Sequence, residues 1–131
     1  MNYDTIEVHL SSEVACVSMN RPEVMNALNT QMRAEITDAY KRLAPQARVI
    51  VLTGCGKAFC SGQDLGDRAN AAQLDLERTL RDEYEPMLRA IIECRIPTIT
   101  ALNGAAAGAG ANLALASDVV IASKSSYFMQ A

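Results

Sequence analysis

The order of the apolar patterns is what most constrains this chain. "VACVSM" at 14–19 is a short apolar run that Pro22 stops, and "RVIVLTG" at 48–54 is a β-branched run that stops at Gly54. Between them, "NALNTQMRAEITDAYKRLA" spaces Leu28, Met32, Ile36 and Tyr40 on one helical face, with Leu43 close by. Asn26 or Asn29 can cap that helix, and Pro45 ends it. Strand, helix and strand in this order predict a βαβ unit with parallel strands, and so an α/β fold. "RVIVLTG" reads as a strand buried on both faces. Upstream, Ile6, Val8 and Leu10 alternate and "SSE" turns the chain, which predicts an opening hairpin. His9 falls on the polar phase of its first strand and is read as solvent-facing.

Residues 66–75 are small and polar and read as a mobile loop. A helix is expected from about Leu74 to Glu93, with Leu76, Leu80, Tyr84, Leu88 and Ile91 or Ile92 inward and a kink or break at Pro86. Glu83 and Glu85 read as its solvated face. "TITAL" and "DVVIAS" read as further strands, with a helix starting near Gly108 or Ala109 between them.

The bulk numbers exclude several classes. The chain has 131 residues, 50% hydrophobic and 21% charged, which is enough for one globular domain and too apolar for disorder. A net charge of −3 without a basic stripe argues against nucleic acid as a partner. Cys16, Cys55, Cys60 and Cys94 form neither a CxxC pair nor a zinc spacing, so they read as free thiols and no metal site is expected. The N-terminus lacks the pattern of a secretory signal, and no apolar run reaches transmembrane length. A soluble, cytoplasmic protein is expected.

Two loops of small residues carry the functional signal. "FCSGQDL" follows one strand, and "NGAAAGAG" follows another and runs into a helix. Small residues let a ligand approach the backbone, and first-turn amides of a helix lack internal partners. A phosphate loop fails on spacing, because Val51 stands where its first glycine belongs and Ala58 follows Lys57. A dinucleotide loop fails because Leu113 stands at its third glycine. On the residues alone, both loops could equally be tight turns with close helix–strand packing.

Three blocks in order, "MNRPEVMNAL", "GKAFCSGQDL" and "NGAAAGAGANLALASDVVIAS", resemble the signature blocks of the crotonase, or enoyl-CoA hydratase/isomerase, superfamily. Within it, "FCSGQDLGDR" and "AAAGAGANLAL" are most similar to members of the 1,2-epoxyphenylacetyl-CoA isomerase type. The resemblance implies a crotonase-like spiral of ββα units and chemistry on acyl-CoA thioesters through an enolate. Coenzyme A would enter as part of the substrate, with no further cofactor. The backbone N–H groups of Gln63 and Ala109 would hold the thioester oxygen. Ala58, Ser61, Gln63, Asp64, Leu65, Gly108 and Ala109 would line the acyl-CoA site, with Glu23, Val24 and Met25 along the pantetheine and phosphate arm. Glu23 stands where many relatives carry lysine, and Asp64 has a second reading as a helix cap.

Asn112 replaces the first glutamate of the hydratases. An amide cannot exchange a proton as a carboxylate can, so isomerisation or another enolate reaction is favoured over hydration. The second glutamate would align just past Ala131, and the family's usual chain is about twice as long, so the resemblance implies a single crotonase-like domain, 1–131, truncated at its C-terminal end. The general base would then lie beyond it. A trimer or hexamer, or a complementary C-terminal polypeptide, would complete the molecule. The alternative reading is a catalytically silent CoA-binding or assembly subunit.

Overall fold

The computed structural model describes residues 2–64 and 76–130. Leu65, the loop reading for 66–75 and the inward reading of Leu76 lie outside the described residues and side chains. Strands β1 (Ile6–Ser11) and β2 (Val14–Met19) form the opening antiparallel hairpin, with Ile6 opposite Met19. Its turn places Ser12 at φ 52° and Glu13 at φ 68°. Left-handed residues at both turn positions match the twist of the flanking strands. His9 is exposed, as its phase predicts.

Helix α1 (Thr30–Leu43) is capped by Asn29, whose side chain accepts from the Met32 N–H at 2.8 Å. Asn29 therefore fills the role for which Asn26 was the other candidate. Met32, Ile36, Tyr40 and Leu43 are all buried, so the apolar stripe seats the helix on the sheet. The chain returns through β3 (Val49–Gly54), which pairs parallel with β2 from Val14↔Val49 to Met19↔Gly54. Its residues alternate between buried and half-buried, so one face is fully covered and the other only partly.

The next helical segment departs from the expected register. α2 (Leu76–Thr79) runs through a π-helical turn, Leu80–Tyr84, into α3 (Glu85–Ile92). The Glu85 N–H reaches back to the Leu80 carbonyl, five residues away. Pro86 has no N–H to offer the Asp82 carbonyl, which accounts for a wider turn at this point rather than a break. The extra residue rotates the face. Tyr84, Met87 and Ile91 are buried and Leu88 is partly so, so Ile91 rather than the exposed Ile92 (64%) is the inward isoleucine, whereas Leu80 (52%) is exposed, which corrects its inward reading.

Strands β4 (Thr98–Leu102) and β6 (Val119–Ala122) extend the sheet in parallel, giving the order β1-β2-β3-β4-β6. Two short strands escaped the sequence reading. β5 (Ala105–Ala107) and β7 (Tyr127–Met129) pair parallel as a second sheet, and α4 (Ala109–Leu115) follows β5 directly. An alanine run carries no strand signature, and β5 exists because distant partners claim its backbone.

Candidate active site

Both small-residue loops leave the sheet at the same end, after the neighbouring parallel strands β3 and β4, and their backbones meet. The Phe59 and Cys60 N–H groups both donate to the Ala105 carbonyl, at 3.0 and 3.2 Å. The Ala107 N–H donates back to the Cys60 carbonyl at 3.0 Å. A parallel bridge thus joins Cys60 to Ala106. Close approach depends on glycine. A β-carbon on Gly104 would overlap the Lys57 carbonyl, and one on Gly110 would overlap the Cys60 carbonyl. Gly62 sits at φ +108°, and a β-carbon there would come 3.0 Å from the Ala107 oxygen and 3.7 Å from the Ala109 nitrogen. Gln63 and Ala109 are therefore brought to one place by chain segments far apart in sequence.

The Gln63 peptide is held from both sides. The Leu28 N–H donates to the Gly62 carbonyl at 2.7 Å, and the Asp64 N–H donates to the Leu28 carbonyl at 2.9 Å. That pattern turns the Gln63 N–H away from Leu28. Among the described residues, neither the Gln63 nor the Ala109 N–H donates a backbone hydrogen bond. The Gln63 side-chain Nε2 is likewise buried without a partner among them.

Two asparagines fix this geometry: the buried Asn26, which the sequence offered only as a helix cap, and the half-buried Asn103, which it did not single out. Asn26, in the left-handed region at φ 57°, places Nδ2 2.9, 3.1 and 3.2 Å from the Cys55, Ala58 and Phe59 carbonyls. Its Oδ1 accepts from the Arg21 N–H at 2.9 Å. Asn103 donates to the Gly56 and Ala58 carbonyls and accepts from the Gly54 N–H. Each sits beside a turn after a strand. Polar residues in that place, flanked by small ones, are the signal that could have marked them.

The remaining candidates divide into those that touch these loops and those that do not. Glu23, Val24 and Met25 form an exposed single turn, Pro22–Val24, with Met25 at φ 51°. This turn is tied to the first loop, because the Ser61 N–H donates to the Met25 carbonyl at 3.0 Å and Ser61 Oγ to the Val24 carbonyl at 3.2 Å. Ala58 is buried under Asn26 and Asn103. Asp64 pairs with Arg21 Nη1 at 2.8 Å, a largely buried ion pair, and its reading as a helix cap falls outside the described residues. Gly108 is exposed, and its N–H donates to the Met129 carbonyl at 3.0 Å. Asn112 is exposed on α4, with Oδ1 3.5 Å from Gln130 Nε2.

Of the two glutamates read as a solvated face, one behaves differently. Glu83 is not merely a solvated face: its Oε1 accepts from Nη2 of the buried Arg33 at 2.7 Å. Glu85 does lie on the surface, paired with Arg89 at 2.9 Å. All four thiols are free, but only Cys60 is fully buried. Burial pushes the Cys60 thiol up to about 11, so it stays protonated and is no nucleophile. Among the described residues, no helix is long and apolar enough to cross a membrane.

Comparison with known proteins agrees with this fold. The family model for enoyl-CoA hydratase/isomerase matches residues 9–131. A Rhodobacter capsulatus protein named "Probable enoyl-CoA hydratase" is 61% identical over 131 residues, covering 100% of this chain and 51% of that protein. The 1,2-epoxyphenylacetyl-CoA isomerase of Escherichia coli K12 is 39% identical over 128 residues, covering 94% of this chain and 49% of the isomerase. The crystal structure of an enoyl-CoA hydratase/isomerase from Xanthobacter autotrophicus Py2 superposes with a TM-score of 0.89 at 31% identity, over 98% of this chain and 49% of that one. The chain thus spans about half the length of the relatives it matches. On sequence, on a crotonase-type α/β fold and on coverage of its whole length, the chain belongs to the enoyl-CoA hydratase/isomerase family.

Proposed function

We propose that this chain carries the thioester-binding half of an acyl-CoA isomerase or hydratase, in which the Gln63 and Ala109 amides stabilise an enolate oxygen. The observation that carries the reading is the meeting of the two loops, with both amides unengaged among the described residues. Preorganised donors aimed at developing charge cost no reorganisation during reaction and contribute roughly 3–4 kcal/mol each. Coenzyme A would lie with its adenine end against the backbone around Ala58, Ser61 and Gln63, beside Asp64 and Leu65, and with its pantetheine and phosphate arm along Glu23, Val24 and Met25, while Gly108 adjoins Ala109 in the acyl-CoA site. An acyl-CoA in phenylacetate or fatty-acid breakdown suits the resemblance to the isomerase, and a cytoplasmic homo-oligomer suits the family.

Asn112 favours isomerisation over hydration. It occupies an exposed position on α4 and brings no titratable group to the site. Isothermal titration with an acyl-CoA and with ATP tests the reading: the acyl-CoA binds and ATP does not. Crotonyl-CoA is hydrated slowly. Binding of ATP alone, or fast hydration that Asn112→Ala leaves unchanged, contradicts it.

A further inference from the structure

Arg33 is a cation where the apolar stripe of α1 faces inward, and it is 1% exposed. A buried guanidinium is costly unless its donors are satisfied. Here they are spread over separate parts of the fold. Nη1 donates to the Leu28 carbonyl at 3.0 Å and to the Tyr84 hydroxyl at 3.1 Å. Nε and Nη2 both reach Glu83 Oε1, at 3.0 and 2.7 Å. The guanidinium carbon also lies 4.5 Å from the centre of the Tyr84 ring.

Three of these partners matter together. Glu83 and Tyr84 belong to the π-helical turn, so Arg33 fixes the one irregular stretch of the α2–α3 segment. Leu28 is the residue that clamps the Gln63 peptide. Its carbonyl accepts from Arg33 and from the Asp64 N–H at once. A carbonyl oxygen has two lone pairs, and both are used here. Loss of the guanidinium would leave the Leu28–Asn29 peptide free to tilt, which loosens the Gln63–Asp64 peptide bonded to it and, through Gln63, the adjoining Gly62–Gln63 peptide that carries the Gln63 N–H. Misplacing a preorganised donor reduces charge stabilisation more than it reduces ligand affinity, because the donor acts most on the developing anion.

We infer that Arg33 is a positioning residue that couples the π-helical turn at Leu80–Tyr84 to the orientation of the Gln63 amide through the Leu28 carbonyl. The inference rests on the enolate reading, but its structural half can be read without any ligand.

The test uses the whole chain and two readouts. The first is amide hydrogen exchange by NMR without ligand. In Arg33→Met, exchange at Asp64 rises at least tenfold while exchange at Ile50, inside the sheet, stays within twofold. The second is the near-ultraviolet absorbance of acetoacetyl-CoA, whose enolate absorbs there. In Arg33→Met the bound enolate fraction falls at least tenfold, while affinity for CoA itself changes less than threefold. Should Arg33→Met fail to fold, Glu83→Gln is read instead. It keeps the guanidinium, removes its counter-charge, and lowers the enolate fraction about threefold. Unchanged Asp64 exchange and an unchanged enolate band in a folded variant overturn the role of Arg33. No enolate band in the unaltered chain overturns the enolate reading, while a local rise in Asp64 exchange would still uphold the coupling of Arg33 to the loop.

Discussion

Gly110 packs so closely on the Cys60 carbonyl that a β-carbon on Gly110 would overlap it. The contact joins the first turn of α4 to the loop after β3, and so sets the spacing of the two amides. Gly110→Ala must push the loops apart or strain them, at a cost of about 1–3 kcal/mol. Urea denaturation should show that loss, together with weaker acyl-CoA binding. Gly108 has nothing within reach of a β-carbon but sits at φ +54°. Gly108→Ala should therefore also destabilise, through backbone strain at φ +54° and ψ −123° rather than through overlap with the first loop.

The N-terminal segment should come loose in acid. Burial raises the Glu35 carboxyl, but hydrogen bonds from the Asp4 and Thr5 N–H groups, the Thr5 hydroxyl and Gln31 outweigh it and hold it below its ordinary 4.5. A hydrogen bond from the Tyr3 hydroxyl lowers Asp38 in the same way. A group whose folded pKa is depressed contributes stability above its unfolded value, and that stability is lost as pH falls through the folded value. Stability should therefore be flat above about pH 5 and fall below pH 4.5. In Glu35→Gln, part of that acid slope should vanish in denaturation measured across pH. A slope unchanged in the variant contradicts the assignment.

The face built by α4, β6 and β7 should drive association. Leu115, Val119, Ile121, Tyr127 and Met129 are each more than half exposed, and β6 is an edge strand. An exposed apolar edge is a template for pairing with another chain. Covering each large side chain contributes roughly 1.5–3 kcal/mol. Sedimentation of the isolated chain should show dimers or larger species whose proportion rises with concentration. Replacing Val119 and Ile121 by threonine should shift them toward monomer. A concentration-independent monomer would contradict this reading of the face.

What the sequence made legible was what is written locally. Leu28, Met32, Ile36, Tyr40 and Leu43 repeat at helical spacing, and Val49–Gly54 is apolar over the length of a strand, so α1 and β3 followed from period alone. The π-helical turn was not written locally. It moved Leu80 outward and brought Met87 in, and only the missing N–H of Pro86 hinted at it. The loops were recognisable by their small residues and the order of their motifs. The groups that hold them were not, because Asn26, Arg33 and Asn103 are polar, and burial of a polar residue depends on partners supplied by distant segments.

The most direct test of the central claim is a crystal structure of the protein with acetoacetyl-CoA bound. The account predicts one thioester oxygen within about 3.2 Å of both the Gln63 and the Ala109 backbone nitrogens. A bound thioester whose oxygen meets neither amide, or amides that have found protein partners instead, would contradict it.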